Sequence, residues 1–134
     1  MSLSRNLLLV EDSEDDVFLF KRALAHHPDI RLVAWAEDGN EAIAYLSGAG
    51  EYADRHQYPP PDIMVLDLKM PRRSGYEVLQ WMQGRIPRPK VAVFTSSDLD
   101  DDKKRVHDLG ADLYQQKTFR ADELDRFIAR LRSL

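Results

Sequence analysis

Unbroken apolar runs punctuate the chain at intervals. Asn6–Val10, Leu32–Ala36, Ile63–Leu66 and Val91–Phe94 each read as a strand, continuous rather than alternating in hydrophobicity, which is the pattern of strands covered on both faces. Between them the apolar period changes to that of a helix. Val17, Phe20 and Leu24 define a first helix from the candidate N-cap Ser13 to about His26. Glu41–Ser47 predicts a short second helix, and Tyr76–Gln83 a third carrying Val78, Leu79 and Met82. Asp100–Leu109 is helical by propensity but poor in apolar residues, with Gly110 placed to end it. Leu113 and Tyr114 mark a short fifth strand. The last helix, about Ala121–Arg132, has the clearest face, with Leu124, Phe127, Ile128 and Leu131 at i, i+3, i+4 and i+7.

Five strands alternating with five helices predict an α/β, doubly wound fold with a parallel sheet covered on both sides. In such sheets ligands bind outside the carboxyl ends of the strands, near the switch in strand order. One long connection, Gly48–Asp62, contains three prolines that should stiffen it into an extended path.

Composition narrows the classes. The 134 residues suit one domain, taken as 1–134 with a core of about 6–131. The absence of cysteine excludes disulfides and thiolate chemistry. No apolar run approaches the ~20 residues that span a bilayer, and Met1–Ser4 has no signal-like apolar region. The expectation is a soluble cytoplasmic protein with no membrane partner. A net charge of −4 argues against nucleic acid as a direct partner. The acid runs Glu14–Asp16 and Asp100–Asp102 read as solvated helix starts, favoured by the helix dipole. His26 and His27 read as cations at a helix end, His56 and His107 lack metal-ligand spacing, and Arg72-Arg73 reads as a solvated loop.

The residues just after the strands carry the chemistry. Glu11 and Asp12 follow the first, Asp67 the third, Thr95 the fourth and Lys117 the fifth. Converging carboxylates repel one another, and a hard divalent cation relieves this; oxygen-only ligands at a shallow site favour Mg²⁺. A carboxylate beside Mg²⁺ can act as a nucleophile toward phosphorus. Transfer then needs positioning and charge neutralisation, with Mg²⁺, Lys117 and the Thr95 hydroxyl each facing a phosphoryl oxygen.

The stretches LLLVEDSEDD, IMVLDLKMPRRSGYEVL, VAVFTSSD and GADLYQQK, in this order and spacing, resemble the response regulator receiver domain of two-component systems from about Asn6 to Leu131. That resemblance implies a flavodoxin-like fold with strand order 2-1-3-4-5 and phosphorylation of Asp67. It implies metal contacts from Asp12 and Asp67 directly, from Glu11 through water and from the main-chain carbonyl of Lys69. It also implies a switch in which Thr95 moves toward the phosphoryl group and Tyr114 turns inward behind it. The usual proline after the lysine is replaced by Thr118, so the 117–118 bond is expected to be trans. The long 48–62 connection is similar to that of single-domain regulators serving phytochrome kinases.

The expected activity is that of a phosphorylatable regulator rather than an enzyme, taking phosphate from a sensor histidine kinase, of the phytochrome type by the last resemblance. Competing readings are a phosphorylation-independent adaptor and a phosphorelay intermediate. A flavin protein of similar fold would want a Gly- or Ser-rich phosphate loop where Glu11-Asp12-Ser13-Glu14 stands, and a hydrolase with an aspartate nucleophile would want an acid at Lys69. No output domain is expected after the last helix, so the output is expected to lie in another protein, a further relay step or a dimer. Pairing through the fourth helix, fifth strand and fifth helix has Leu99, Val106 and Tyr114 as local candidates. Arg72-Arg73 is a candidate contact for an acidic kinase surface.

Overall fold

A computed structural model describes residues 4–134. The strands are β1 (Arg5–Val10), β2 (Ile30–Ala36), β3 (Ile63–Leu66), β4 (Lys90–Thr95) and β5 (Leu113–Gln116). The helices are α1 (Glu14–Leu24), α2 (Gly39–Ser47), α3 (Gly75–Met82), α4 (Asp100–Asp108) and α5 (Ala121–Leu131). All strand pairs are parallel, in the order β2-β1-β3-β4-β5. This is the flavodoxin-like arrangement, and its order reverses between β1 and β3.

Alternation along the buried strands divides the core in two. Leu7, Leu9, Val65, Ala92 and Phe94 face Val17, Phe20 and Leu24 of α1 and Leu124, Phe127, Ile128 and Leu131 of α5. Leu8, Val10, Met64, Leu66 and Val93 face Ala42 and Tyr45 of α2, Val78, Leu79 and Met82 of α3, and Val106 of α4. Each fully buried Leu, Phe or Met contributes roughly 1.5–3 kcal/mol relative to exposure. Both layers grip the same strands, so the carboxyl ends of β1, β3 and β4 are rigid. Ser13 caps α1 as expected, its hydroxyl accepting from the Asp16 amide at 3.3 Å.

Several local expectations change. Helix α1 stops at Leu24, because the His26 and His27 amides bond to Ala23 and Leu24 and tighten the turn. His27 is not solvated at the helix end. It is buried, with Nε2 bonded to Asp125 at 2.7 Å and Nδ1 accepting from Arg132 at 2.5 Å, which ties α1 to α5.

The 48–62 connection is not an extended path. It contains a single 3-10 turn at Gly50–Tyr52, and the rings of Tyr45, Tyr52 and Tyr58 pack tilted or edge-on at 4.9–6.3 Å. Arg55 donates to the carbonyls of Leu46, Tyr52 and Tyr58, while the Tyr45 hydroxyl donates to Pro59 O at 2.8 Å. Three aromatic rings within reach of one another outweigh the stiffness of the proline run. Val106, a candidate for pairing between copies, is 1% exposed and belongs to the core; Leu99 is 61% exposed.

Candidate functional site

The site begins with backbone. The Asp67 amide donates to Val10 O at 3.1 Å and the Glu11 amide to Ala36 O at 3.0 Å, so the ladders carry on one residue past β1 and β3 and bring both acids to one edge. The Lys117 amide donates to Thr95 O at 2.6 Å, which brings the end of β5 alongside β4. The 117–118 peptide is trans; among the described residues the one cis peptide is Ile86–Pro87.

From this frame the side chains converge. Lys117 Nζ lies 2.7 Å from Glu11 Oε1, 2.8 Å from Asp16 Oδ2 and 3.0 Å from Asp67 Oδ2. Asp67 Oδ1 accepts from the Leu68 amide at 2.7 Å, which fixes the carboxylate plane. Glu11 Oε2 accepts from the Ser13 amide at 3.1 Å. Carboxylate oxygens of Glu11, Asp12 and Asp67 lie within 4.8 Å of one another; Asp12 is exposed and the other two are buried. Thr95 is fully buried, and its Oγ1 is the one buried side-chain polar atom among the described residues without a hydrogen-bond partner. Such a hydroxyl costs about 1–3 kcal/mol unless something accepts from it.

Burial pushes the Glu11 carboxyl up to about 7; the Lys117 hydrogen bond opposes this and the Asp67 charge adds to it. Burial alone would lower Lys117, but its hydrogen bonds to Asp16 and Glu11 and the charge of Asp67 win, and the ammonium is held above its ordinary value. One cation therefore serves three carboxylates. An all-oxygen cluster that is short of positive charge is chemically suited to a hard divalent cation.

The predicted residues Glu11, Asp12, Asp67, Thr95 and Lys117 come together at this edge. The Lys69 side chain is exposed. Tyr114 is half-buried, and its hydroxyl donates to Ser97 O at 2.6 Å. Asp16 is a member that sequence reasoning missed, since it looked like one of several acids in a helix's first turn. Its signal was its position three residues past the N-cap, in the first turn of the helix that starts just after Glu11 and Asp12.

Two glycines also build the site. A Cβ on Gly75 would stand 2.3 Å from Asp67 O, and the Gly75 amide donates to Leu68 O at 2.9 Å, so α3 starts directly against the Asp67 backbone. Gly39 seats α2 on Arg73 O in the same way, at 3.0 Å. Arg72, expected to be a solvated loop cation, has a positive φ of 65° and donates through Nε to the buried Asp38 at 2.6 Å.

Comparisons with known proteins agree with this geometry. The model of the response regulator receiver domain matches residues 7–129. The chain is 35% identical over 127 residues to the transcriptional regulatory protein KdpE of Mycobacterium tuberculosis, covering 95% of this chain and 50% of that protein, so it spans half of that relative's length. It is 30% identical over 129 residues to the response regulator Rcp1 of Synechocystis sp., covering 95% and 86%; the Mn(2+)-bound form of Rcp1 superposes with a TM-score of 0.81 over 97% of this chain and 93% of that one. The phosphorylated cyanobacterial phytochrome response regulator RcpA superposes with a TM-score of 0.82 at 30% identity, covering 97% and 92%. Among the described residues no helix is long and apolar enough to cross a membrane. Family pattern and three-dimensional likeness thus coincide over nearly the whole chain, and the protein is a member of the response regulator receiver domain family.

Proposed function

We propose that this receiver domain accepts a phosphoryl group on Asp67 from a sensor histidine kinase and changes its partner binding in response. The observation that carries the reading is the meeting of Lys117 Nζ with Asp67 Oδ2 at 3.0 Å inside the Glu11–Asp12–Asp67 cluster. Asp67 is the nucleophile. Its carboxylate oxygen bonds to phosphorus as the P–N bond of the kinase phosphohistidine breaks, and the imidazole leaves with the bonding pair. The Leu68 amide orients the carboxylate. Lys117, already charged and shared among carboxylates, is the cation available to a phosphoryl oxygen. The unpartnered Thr95 hydroxyl is the donor available to another.

The donors suit Mg²⁺, with Asp12 and Asp67 as direct ligands and the Lys69 carbonyl as a further one. Both Glu11 carboxylate oxygens already have protein partners, which suits contact through water. When bound, the ion neutralises the carboxylates and the incoming phosphoryl charge. Likeness to Rcp1 and RcpA favours a kinase of the phytochrome type as donor. Switching would run through Thr95 and Tyr114.

Acetyl phosphate with Mg²⁺ tests the reading. Wild type should gain a phosphoryl mass on Asp67 and Asp67→Asn should gain none; an equal gain in both would remove the assignment.

A further inference from the structure

A polar clasp stands behind the site, built on Ser97, Asp102 and Tyr76, to which the proposed chemistry gives no task. Ser97 is 8% exposed and lies two residues past Thr95. Its hydroxyl donates to Asp102 Oδ2 at 2.5 Å, its Oγ accepts from the Leu99 amide at 3.2 Å, and its carbonyl accepts from the Tyr114 hydroxyl at 2.6 Å. The other Asp102 oxygen accepts from the Tyr76 hydroxyl. Arg105, one turn on from Asp102, lies over the Tyr76 ring at 3.9 Å. Tyr76 directly follows Gly75, the residue pressed against the Asp67 carbonyl, so its backbone is fixed relative to the nucleophile. The chain of contacts Asp67–Gly75–Tyr76–Asp102–Ser97 therefore sets how far the β4–α4 loop stands from the site.

We propose that Asp102 is a positioning residue of the switch: bridging Tyr76 and Ser97, it holds the β4–α4 loop where the Tyr114 hydroxyl reaches the Ser97 carbonyl. This rests on the reading that Asp67 is phosphorylated and adds what biases the response. Without the clasp, the β4–α4 loop carrying Ser97 has more arrangements to visit, and the phosphoryl mimic must select the competent one from a smaller fraction. The paired hydroxyls of Ser97 and Tyr76 hold the Asp102 carboxyl below its ordinary range, in keeping with an anionic bridge.

Tyr76→Phe deletes the hydroxyl and keeps the ring under Arg105; Asp102→Ala deletes the bridge. Trp35, whose indole donates to Glu11 O at 2.7 Å, supplies a fluorescence signal at the site. Titrated with beryllofluoride in saturating Mg²⁺, both variants should need about three- to ten-fold more than wild type, the net weight of one ordinary hydrogen bond. Mg²⁺ titrated alone should bind all three equally. Combining Tyr76→Phe with Tyr114→Phe should add little to the larger single effect, because both act through Ser97. An unchanged beryllofluoride midpoint, even with a lowered melting temperature, would overturn the clasp, as would additive effects or equal weakening of Mg²⁺ alone. If wild type ignores beryllofluoride, or Asp67→Asn responds as wild type does, the phosphorylation reading itself falls.

Discussion

At the scale of single residues, the site depends on groups whose surroundings leave no alternative. Gly75 is the plainest. Any Cβ there would overlap the Asp67 carbonyl oxygen at 2.3 Å and the Leu68 Cα at 2.9 Å, both on backbone that cannot swing away. Gly75→Ala should cost about 1–3 kcal/mol in a urea melt, despite the helix propensity of alanine, and should slow phosphorylation of Asp67. Asp38 caps α2, accepting from the Glu41 amide at 2.8 Å and from Arg72 at 2.6 Å. Burial pushes its carboxyl up, but the Glu41 amide and Arg72 win and leave it below the ordinary value of 3.8. The ionised form is thus favoured by folding. Its contribution is full above pH 3.8 and is lost as pH falls through the lower folded value. Asp38→Ala should destabilise by about 1 kcal/mol at neutral pH, and that deficit should shrink in strongly acidic buffer. Legibility was uneven at this scale. Asp67, Asp12 and Lys117 stood out because each follows a strand, whereas Asp16 and Asp102 did not, because each lies in the first turn of a helix and has a partner, Lys117 or Tyr76, that is 101 or 26 residues away.

At the scale of elements, the helices are held very unequally. Helix α5 buries Leu124, Phe127, Ile128 and Leu131, whereas α4 buries Val106 alone and begins at Leu99 without a side-chain cap. Few buried contacts mean low local stability, so α4 is the element most easily moved against the sheet. Amide hydrogen exchange should show α4 opening well before β1, β3 and α5; protection in α4 equal to that in the central strands would contradict this. The apolar period located the five strands and four of the α-helices; α4 was legible by propensity and Gly110, and the 3-10 turn at Gly50–Tyr52 left no such signal. The period did not locate the ends of these elements, which depend on neighbours. β2 starts at Ile30, ahead of its apolar run, because it pairs with β1 from Arg5 onward, and β5 runs on through polar Gln115 and Gln116 because Phe94 and Thr95 of β4 supply its ladder.

For the molecule as a whole, three carboxylates, Glu11, Asp12 and Asp67, meet at one sheet edge of a chain with a net charge of −4, and the expected outcome is that divalent metal stabilises the fold. A ligand that binds only the folded state at 100 times its dissociation constant adds about 2.7 kcal/mol. Saturating Mg²⁺ should therefore raise the melting temperature, EDTA should reverse the rise, and Asp67→Asn should blunt it; equal melting with and without metal would speak against the cluster as a cation site. The sequence by itself determined the class of fold, the order of its elements and the edge where the chemistry gathers, because hydrophobic period and strand-end position are local properties of the chain. Only the tertiary structure decided that Lys117 is shared among Glu11, Asp16 and Asp67, that α3 is pressed against the Asp67 backbone, and that the 48–62 connection folds onto α2. The physical reason is that an ion pair or a close backbone approach joins residues far apart in the chain, whose distance is set by the packing of the whole sheet.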